Sequence, residues 1–387
     1  MGEIKKYKVG ELVVNFDRKR KPLSGRQREK MKGIYPYYGA ACIFDYINDY
    51  IFDGEYILLG EDGTVVNSDG TPVLQRISGK SWVNNHAHVL SNSEIIDFDY
   101  LYYVLKNTNF SGAVTGAVQP KISQANMNAV EVEIYEDKKD QKKVAGILKL
   151  LDEKIKLNNK INDNLSMQIQ LLFKSNFVDS PYDFVPCKIG NLPIFITDYV
   201  ANGSFASLKE NVTLLDEPSF AYFIRNTDLK SGKFNVFVDE HSYNFLAKSS
   251  LYGNEIIVSN VGDIGSVFLC PFLNKPMTLG NNVIMIRPRK KELLYFMFIW
   301  LKWFDGQQLI QGIKGGSAVS KFNKTEFKNI VINIPHDKQL ASFDNLVKPM
   351  FEKMRFLKEE NLKLSNLRDS LLPKLMSGEI DVNSIEL

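Results

Sequence analysis

The sequence predicts a mixed α/β (α+β) fold: two similar domains separated by two long antiparallel helices that form a coiled coil, the whole an internal pseudo-twofold repeat. Three observations predict it. Residues 116–135 (GAVQPKISQANMNAVEVEIY) and 316–335 (GSAVSKFNKTEFKNIVINIP) share one layout at an offset of about two hundred residues. A charged, heptad-like segment follows each copy, QKKVAGILKLLDEKI from Gln141 and DKQLASFDNLVKPMF from Asp337. Short apolar segments broken by Gly and Asp precede each copy, as strands and turns require.

The halves align by landmarks. Each opens with a strand-like unit, YKVGELV at 7–13 and CKIGNLP at 187–193. GEYILLGEDGTV at 54–65 and NEIIVSNVGDIGSV at 254–267 read as strand–turn–strand, so the Gly/Asp stretches 60–63 and 262–265 are hairpin turns rather than phosphate cradles. NNHAHVL at 84–90 and GNNVIMI at 280–286 are further strands. Aromatic helices follow, YLYYVLK from Tyr100 and LLYFMFIWLKWF from Leu293. A Gly-rich loop and a strand come next (Val130–Ile134; Ile330–Ile334), and then the long helix.

In the first long helix Val144, Leu148, Leu151, Ile155, Asn158, Asn162, Leu165, Ile169 and Leu172 recur at spacings of three and four. In the second, Phe343, Val347, Met350, Met354, Leu357, Asn361, Leu364, Leu367 and Leu371 do nearly the same. This a/d seam needs a helical partner. A helix of roughly 37 residues spans about 55 Å, and the economical solution pairs the two helices with each other. Asn158, Asn162 and Asn361 sit mid-seam, where buried asparagines would meet and fix register. The prolines of SPYDFVP (180–186) stop the first helix. The expected boundaries are domain 1–136, helix 137–178, domain 179–335, and helix with tail 336–387.

Composition bounds the function. The 387 residues are 44% hydrophobic and 24% charged, a globular balance, with a net charge of only +3. The first 33 residues hold eleven Lys/Arg against four acids, a local basic surface suited to a polyanion. Cys42, Cys187 and Cys270 are far apart and odd in number, which fits reduced thiols in the cytoplasm. The longest apolar run, Leu293 to Phe304, is interrupted by Lys302 and is too short to span a bilayer. No GxSxG, HExxH, GxxxxGK[ST] or GxGxxG occurs, and neither does a methyltransferase [ND]PP[YF] or a nuclease PD…(D/E)xK cluster. His86 and His88 share a strand face but lack a third ligand at useful spacing, so no metal is expected.

Binding residues are the remaining candidates. The loops Thr115–Ser123 and Gly315–Asn323 keep Gly, Ala-Val and Lys121 or Lys321 in register, and glycine with lysine suits phosphate. Loop candidates are Gln119 and Lys121 in the first copy, and Lys314, Ser317 and Lys321 in the second. The basic N-terminal stretch adds Arg26, Arg28 and Lys30. LQRISGKSWVNNH supplies Arg76, Lys80, Asn84 and Asn85. FIRNTDLKSGKFNVF and LAKSS supply Arg225, Lys230, Lys233 and Lys248, and GNNVIMI adds Asn281. These side-chain types read base edges and phosphates. The competing reading is a protein-interaction scaffold built on the paired helices, with the basic loops incidental.

With those residues assembled, the chain resembles the specificity (S) subunit of a type I restriction-modification system over essentially its whole length. The resemblance rests on the half-repeats, the GAVQPKIS-type loops and the helix endings LSMQIQLLFKSNF and LRDSLLPKLMSGEI. The first copy departs from the pattern, with LLFKSNF where the second has LLPKLMSGEI. The resemblance implies two target-recognition domains, each reading half of a split double-stranded DNA sequence, and helices that act as a ruler. It implies docking of two modification (methyltransferase) subunits and of restriction subunits, with no catalysis and no cofactor in this chain. S-adenosylmethionine, ATP and Mg would belong to the partners.

Overall fold

The computed structural model describes residues 2–116, 118–179, 184–316 and 320–382, and it divides into two units. Unit 1 joins Met1–Lys160 to Leu357–Leu387, and unit 2 is Ile161–Phe356.

In unit 1 an antiparallel sheet runs in the order Val13–Asn15, Ala87–Asn92, Glu55–Gly60, Leu74–Ser78. In unit 2 the order Ile194–Asp198, Val283–Pro288, Ile256–Ser259, Val267–Leu269 repeats it strand for strand. A two-stranded ribbon recurs as well: Ile4–Lys8 pairs with Glu131–Tyr135, and Val185–Lys188 with Val331–Ile334. The units differ in their second sheet. Unit 1 has three strands, Ile43–Ile47, Lys32–Tyr38 and Trp82–Val83. Unit 2 has five, in the order Leu214–Leu215, Phe237–Val238, Ala221–Ile224, Met277–Leu279, Ser250–Leu251.

The helix Phe98–Lys106 is capped by the Asp97 carboxylate, which accepts from the amides of Asp99 and Tyr100. It lays Tyr100, Leu101, Val104 and Leu105 against Ile57, Leu59 and Leu90 of the sheet. Val144 and Leu148 of the first long helix close this core, together with Leu372, Leu375, Met376 and Val382. In unit 2 the apolar helix Leu293–Lys302 does the same work, burying Phe296, Met297 and Leu301 with Phe173, Phe343 and Val347. That helix ends at Trp303, and a second one, Phe304–Gly312, turns away. The turn needs Gly306, because a Cβ there would lie 2.1 Å from the Trp300 carbonyl oxygen.

The long helices span Lys138–Phe173 (36 residues) and Asp337–Met376 (40 residues). Inside unit 1 their segments run antiparallel. Arg368 donates to Asp152 at 2.6 Å, Lys154 lies 3.7 Å from Glu360, and Asn158 meets Asn361 at 2.8 Å.

Three expectations need correction. In YKVGELV only the ends are extended: Val9–Leu12 forms a helical turn with Val9 and Leu12 buried, and CKIGNLP folds alike with a 3-10 turn at Ile189–Asn191. The strand Glu55–Gly60 pairs with Leu74–Ser78 and not with residues 64–65, so the first unit's connection is longer than a hairpin turn. The seam of the second helix slips near its end. Leu367 is 47% exposed, Arg368 turns inward to Asp152, and Leu372 and Leu375 take over the buried positions beside half-buried Leu371. Of the other seam residues, Val144, Leu148, Asn158, Asn162, Ile169, Phe343, Val347 and Leu357 are buried, and Leu151, Ile155, Leu165, Leu172, Met350, Met354, Asn361 and Leu364 are half-buried.

Candidate nucleic-acid interface

Each repeated loop is clamped at its base by the same backbone bonds. In unit 1 Thr115 pairs with Lys121, the Gly63 amide donates to the Pro120 carbonyl at 3.0 Å, and the Ile122 amide to the Glu61 carbonyl at 2.9 Å. In unit 2 Gly315 pairs with Lys321, the Gly262 amide donates to the Ser320 carbonyl at 2.9 Å, and the Phe322 amide to the Asn260 carbonyl at 3.1 Å. The Gly/Asp turns therefore serve as anchors for the loops. Gly63 and Gly262 both have positive φ, 89° and 73°, a conformation glycine adopts without strain.

One further bond recurs with different chemistry. The loop carbonyl of Ile122 accepts from His88 Nε2 at 2.9 Å, and the equivalent carbonyl of Phe322 accepts from Asn260 Nδ2 at 3.1 Å. Sheet register makes His88 the counterpart of Ile284, and Glu61 and Asp62 the counterparts of Asn260 and Val261.

In unit 1 His88 belongs to an ionic network. Its Nδ1 faces Asp17 at 2.6 Å, and Arg20 bridges Asp17 at 3.3 Å and Glu61 at 2.5 Å. Lys121 lies 3.2 Å from Glu61 and 3.4 Å from Asp62. Hydrogen bonding to Glu61, opposed by slight burial, holds the Lys121 ammonium pKa above the ordinary lysine value. Burial works to raise the Asp17 carboxyl, but the hydrogen bond and charge of His88 outweigh it, so the carboxyl titrates below its ordinary range. Asp17, Glu61 and His88 are close enough to share a cation. Arg20 and Lys121 already supply that charge, so the cluster reads as a salt-bridge core and not as a metal centre. Sequence spacing did not reveal this cluster, because Asp17 and Arg20, Glu61, and His88 come from three separate segments. The available signal was the contrast between GEDG at 60–63 and SNVG at 259–262.

Several predicted contact residues are engaged inside their own unit. Arg28 donates to the Leu23 carbonyl at 2.7 Å and lies over the Tyr37 ring. Arg76 pairs with Asp99 and stacks on Phe98. Arg225 is bidentate to Asp228, at 3.0 and 2.7 Å, and Lys230 lies 2.5 Å from Asp263. Asn84 is a correction: it is 4% exposed, and its side chain accepts from the His86 amide, so it shapes a turn and cannot reach a base edge.

Arg26, Lys30, Lys80, Asn85, Gln119, Lys233, Lys248, Asn281, Lys314 and Lys321 are exposed. Ser317 lies outside the described residues. Lys80 sits over Tyr50 at 4.6 Å and near Tyr35 at 5.9 Å, a cation with aromatic platforms. Exposed apolar side chains were not singled out from sequence: Ile34, Phe44 and Tyr46 in the three-stranded sheet of unit 1, and Phe205, 82% exposed, in unit 2. Among the described residues no helix is long and apolar enough to cross a membrane.

Comparison with known proteins gives the family. The type I restriction modification DNA specificity domain matches residues 1–167 and 204–346. The chain is 26% identical over 319 residues to the MjaIX specificity subunit of Methanocaldococcus jannaschii, covering 74% of this chain and 70% of that one. It is 25% identical over 333 residues to the HindI specificity subunit of Haemophilus influenzae, covering 67% and 71%. A second Haemophilus influenzae protein, provisionally named as a type I specificity subunit, is 32% identical over 132 residues, and the match spans only 33% of its length. The crystal structure of a type I restriction-modification S subunit from M. genitalium superposes over 97% of this chain and 96% of that one, with a TM-score of 0.65 at 15% identity. At that identity the likeness speaks for the fold alone.

Proposed function

The chain belongs to the type I restriction-modification DNA specificity family, and on that premise we propose that each of its two units reads one half of a split DNA target. It is a non-catalytic specificity subunit, and the chemistry of methylation and cleavage resides in other chains of the complex. The observation that carries the reading is the duplicated loop clamp. The same bonds, Gly63 to Pro120 and Gly262 to Ser320, hold one loop in each unit, while the residues around the loops differ. A shared scaffold with divergent surroundings is what two readers of different half-sites require.

The long helices act as the spacer in this reading, pairing as an antiparallel coiled coil and docking two modification subunits, with restriction subunits joining for cleavage. S-adenosylmethionine, ATP and Mg are carried by those partners, and the complex works in the cytoplasm on double-stranded DNA. Half-sites one helical turn apart lie roughly 34 Å from each other, which a pair of helices about 55 Å long can bridge. The contact set is Arg26, Lys30, Lys80, Asn85, Gln119, Lys233, Lys248, Asn281, Lys314 and Lys321, supported by their exposure.

Mapping methylated bases in cells that express this chain with its modification subunits tests the function. A split motif with a fixed spacer is expected. A continuous motif, or methylation indifferent to loss of this chain, overturns the reading.

A further inference from the structure

The two loop clamps share a backbone and differ in charge. In unit 1 the strand position before the loop is Val114, and the lysine after it is neutralised by Glu61 and Asp62. In unit 2 the corresponding positions are Lys314 and Lys321, which flank the Gly315–Lys321 pairing. The acids are absent from beneath them, because Asn260 and Val261 stand where unit 1 has Glu61 and Asp62, and Ile284 where it has His88. Among the described residues neither lysine has an ion-pair partner. The nearby acid of the turn, Asp263, is already held by Lys230 at 2.5 Å and by Ser266 at 2.6 Å.

We propose that the chain grips the DNA backbone unequally: Lys314 and Lys321 contact phosphates at the second half-site, while Lys121 is an internal counter-charge at the first. This rests on the DNA-reading function proposed above and refines it. A lysine bound to two carboxylates brings no net charge to a phosphate, and its release would leave Glu61 and Asp62 facing a polyanion. A free ammonium on a clamped hairpin base costs no ion pair and little loop ordering to recruit. The first half-site then draws its phosphate contacts from Arg26, Lys30 and Lys80 rather than from its loop lysine, and the second adds Lys314 and Lys321 at the loop itself.

The test uses the chain assembled with its modification subunits and a duplex carrying the split motif found by methylation mapping. Affinity is measured across a salt series. Each phosphate contact contributes about 0.9 to the slope of log affinity against log salt, so Lys314→Ala with Lys321→Ala lowers the slope by roughly two such contacts. Lys121→Ala lowers the slope by far less than Lys321→Ala, and it moves the melting temperature only slightly, because its pairing with Glu61 and Asp62 is half exposed and screened by solvent. Asn260→Glu with Val261→Asp installs the first unit's acids beneath Lys321 while removing no lysine, and it lowers the slope by about one contact. Equal slope losses for Lys121→Ala and Lys321→Ala overturn the asymmetry, as does an unchanged slope in the Asn260/Val261 variant. If the unaltered complex does not bind the duplex, the DNA-reading function falls and the asymmetry falls with it. If it binds and the slopes are equal, only the asymmetry falls.

Discussion

Asn158 donates its side-chain amide to Asn361 Oδ1 at 2.8 Å and to Glu360 at 2.6 Å, and Asn361 in turn donates to Asn159 at 2.8 Å. Asn158 is fully buried, and its own Oδ1 has no hydrogen-bond partner. The contact therefore specifies register while leaving a polar atom unsatisfied, an arrangement that lowers stability relative to an apolar pair. Asn158→Leu with Asn361→Leu is expected to stabilise the chain by about 1–2 kcal/mol, whereas Asn361→Leu alone costs about 1 kcal/mol by removing an acceptor from buried Asn158. Denaturant unfolding of both singles and the double reads the coupling, and additive effects would sink the idea of a specific contact.

The slip in the second helix makes neighbouring leucines unequal. Leu375 is fully buried in the unit 1 core, and Leu367 is largely exposed. Leu375→Ala should cost about 2–4 kcal/mol, and Leu367→Ala about 0.5 kcal/mol or less. Thermal melts that show the reverse order would restore the uninterrupted heptad seam.

Asp263 should respond to acid in a defined window. Hydrogen bonds from Lys230 and then Ser266 hold its carboxyl at about 2, against 3.8 for a free aspartate. A folded pKa below the unfolded one contributes stability that is present above pH 4 or so and fades as pH falls towards 2. The carboxylate is 43% exposed, so solvent screening keeps the contribution small. Lys230→Ala should move the carboxyl towards its ordinary value in an NMR titration. A carboxyl still titrating near 2 in that variant would assign the shift to Ser266 and Asn226.

The spacer role of the helices predicts a geometric response. Four residues inserted after Leu157, with four more at the facing position beside Glu360, lengthen the pair by about 6 Å, roughly the rise of two base pairs. The methylated motif should then carry a longer spacer between unchanged half-sites. Retention of the original spacer would remove the helices from that role.

Much of the scaffold was legible because it depends on periodicity. The recurring succession of strands, the aromatic helices and the burial of Leu148, Asn158 and Val347 follow from local pattern. The failures are those of context. Val9–Leu12 reads as a strand until its burial against the core shows that a helical turn packs better. Leu367 loses its seam position because Arg368 finds Asp152 on the facing helix. Lys121 and Lys321 look identical in sequence, and what separates them lies some sixty residues earlier, in Glu61 and Asp62 against Asn260 and Val261. Pairings at that separation leave no periodic trace.

The burial of Leu372, Leu375, Met376 and Val382 among Leu101, Val144 and Leu148 has a consequence for synthesis. Unit 2 is one continuous segment, Ile161–Phe356, and every residue of its core precedes the closing residues of unit 1 in the chain and is translated before them. Unit 1 must wait with an open apolar face, although its strands are made first. The nascent chain thus matures from the middle outwards, and the half that begins the sequence is the last to be completed.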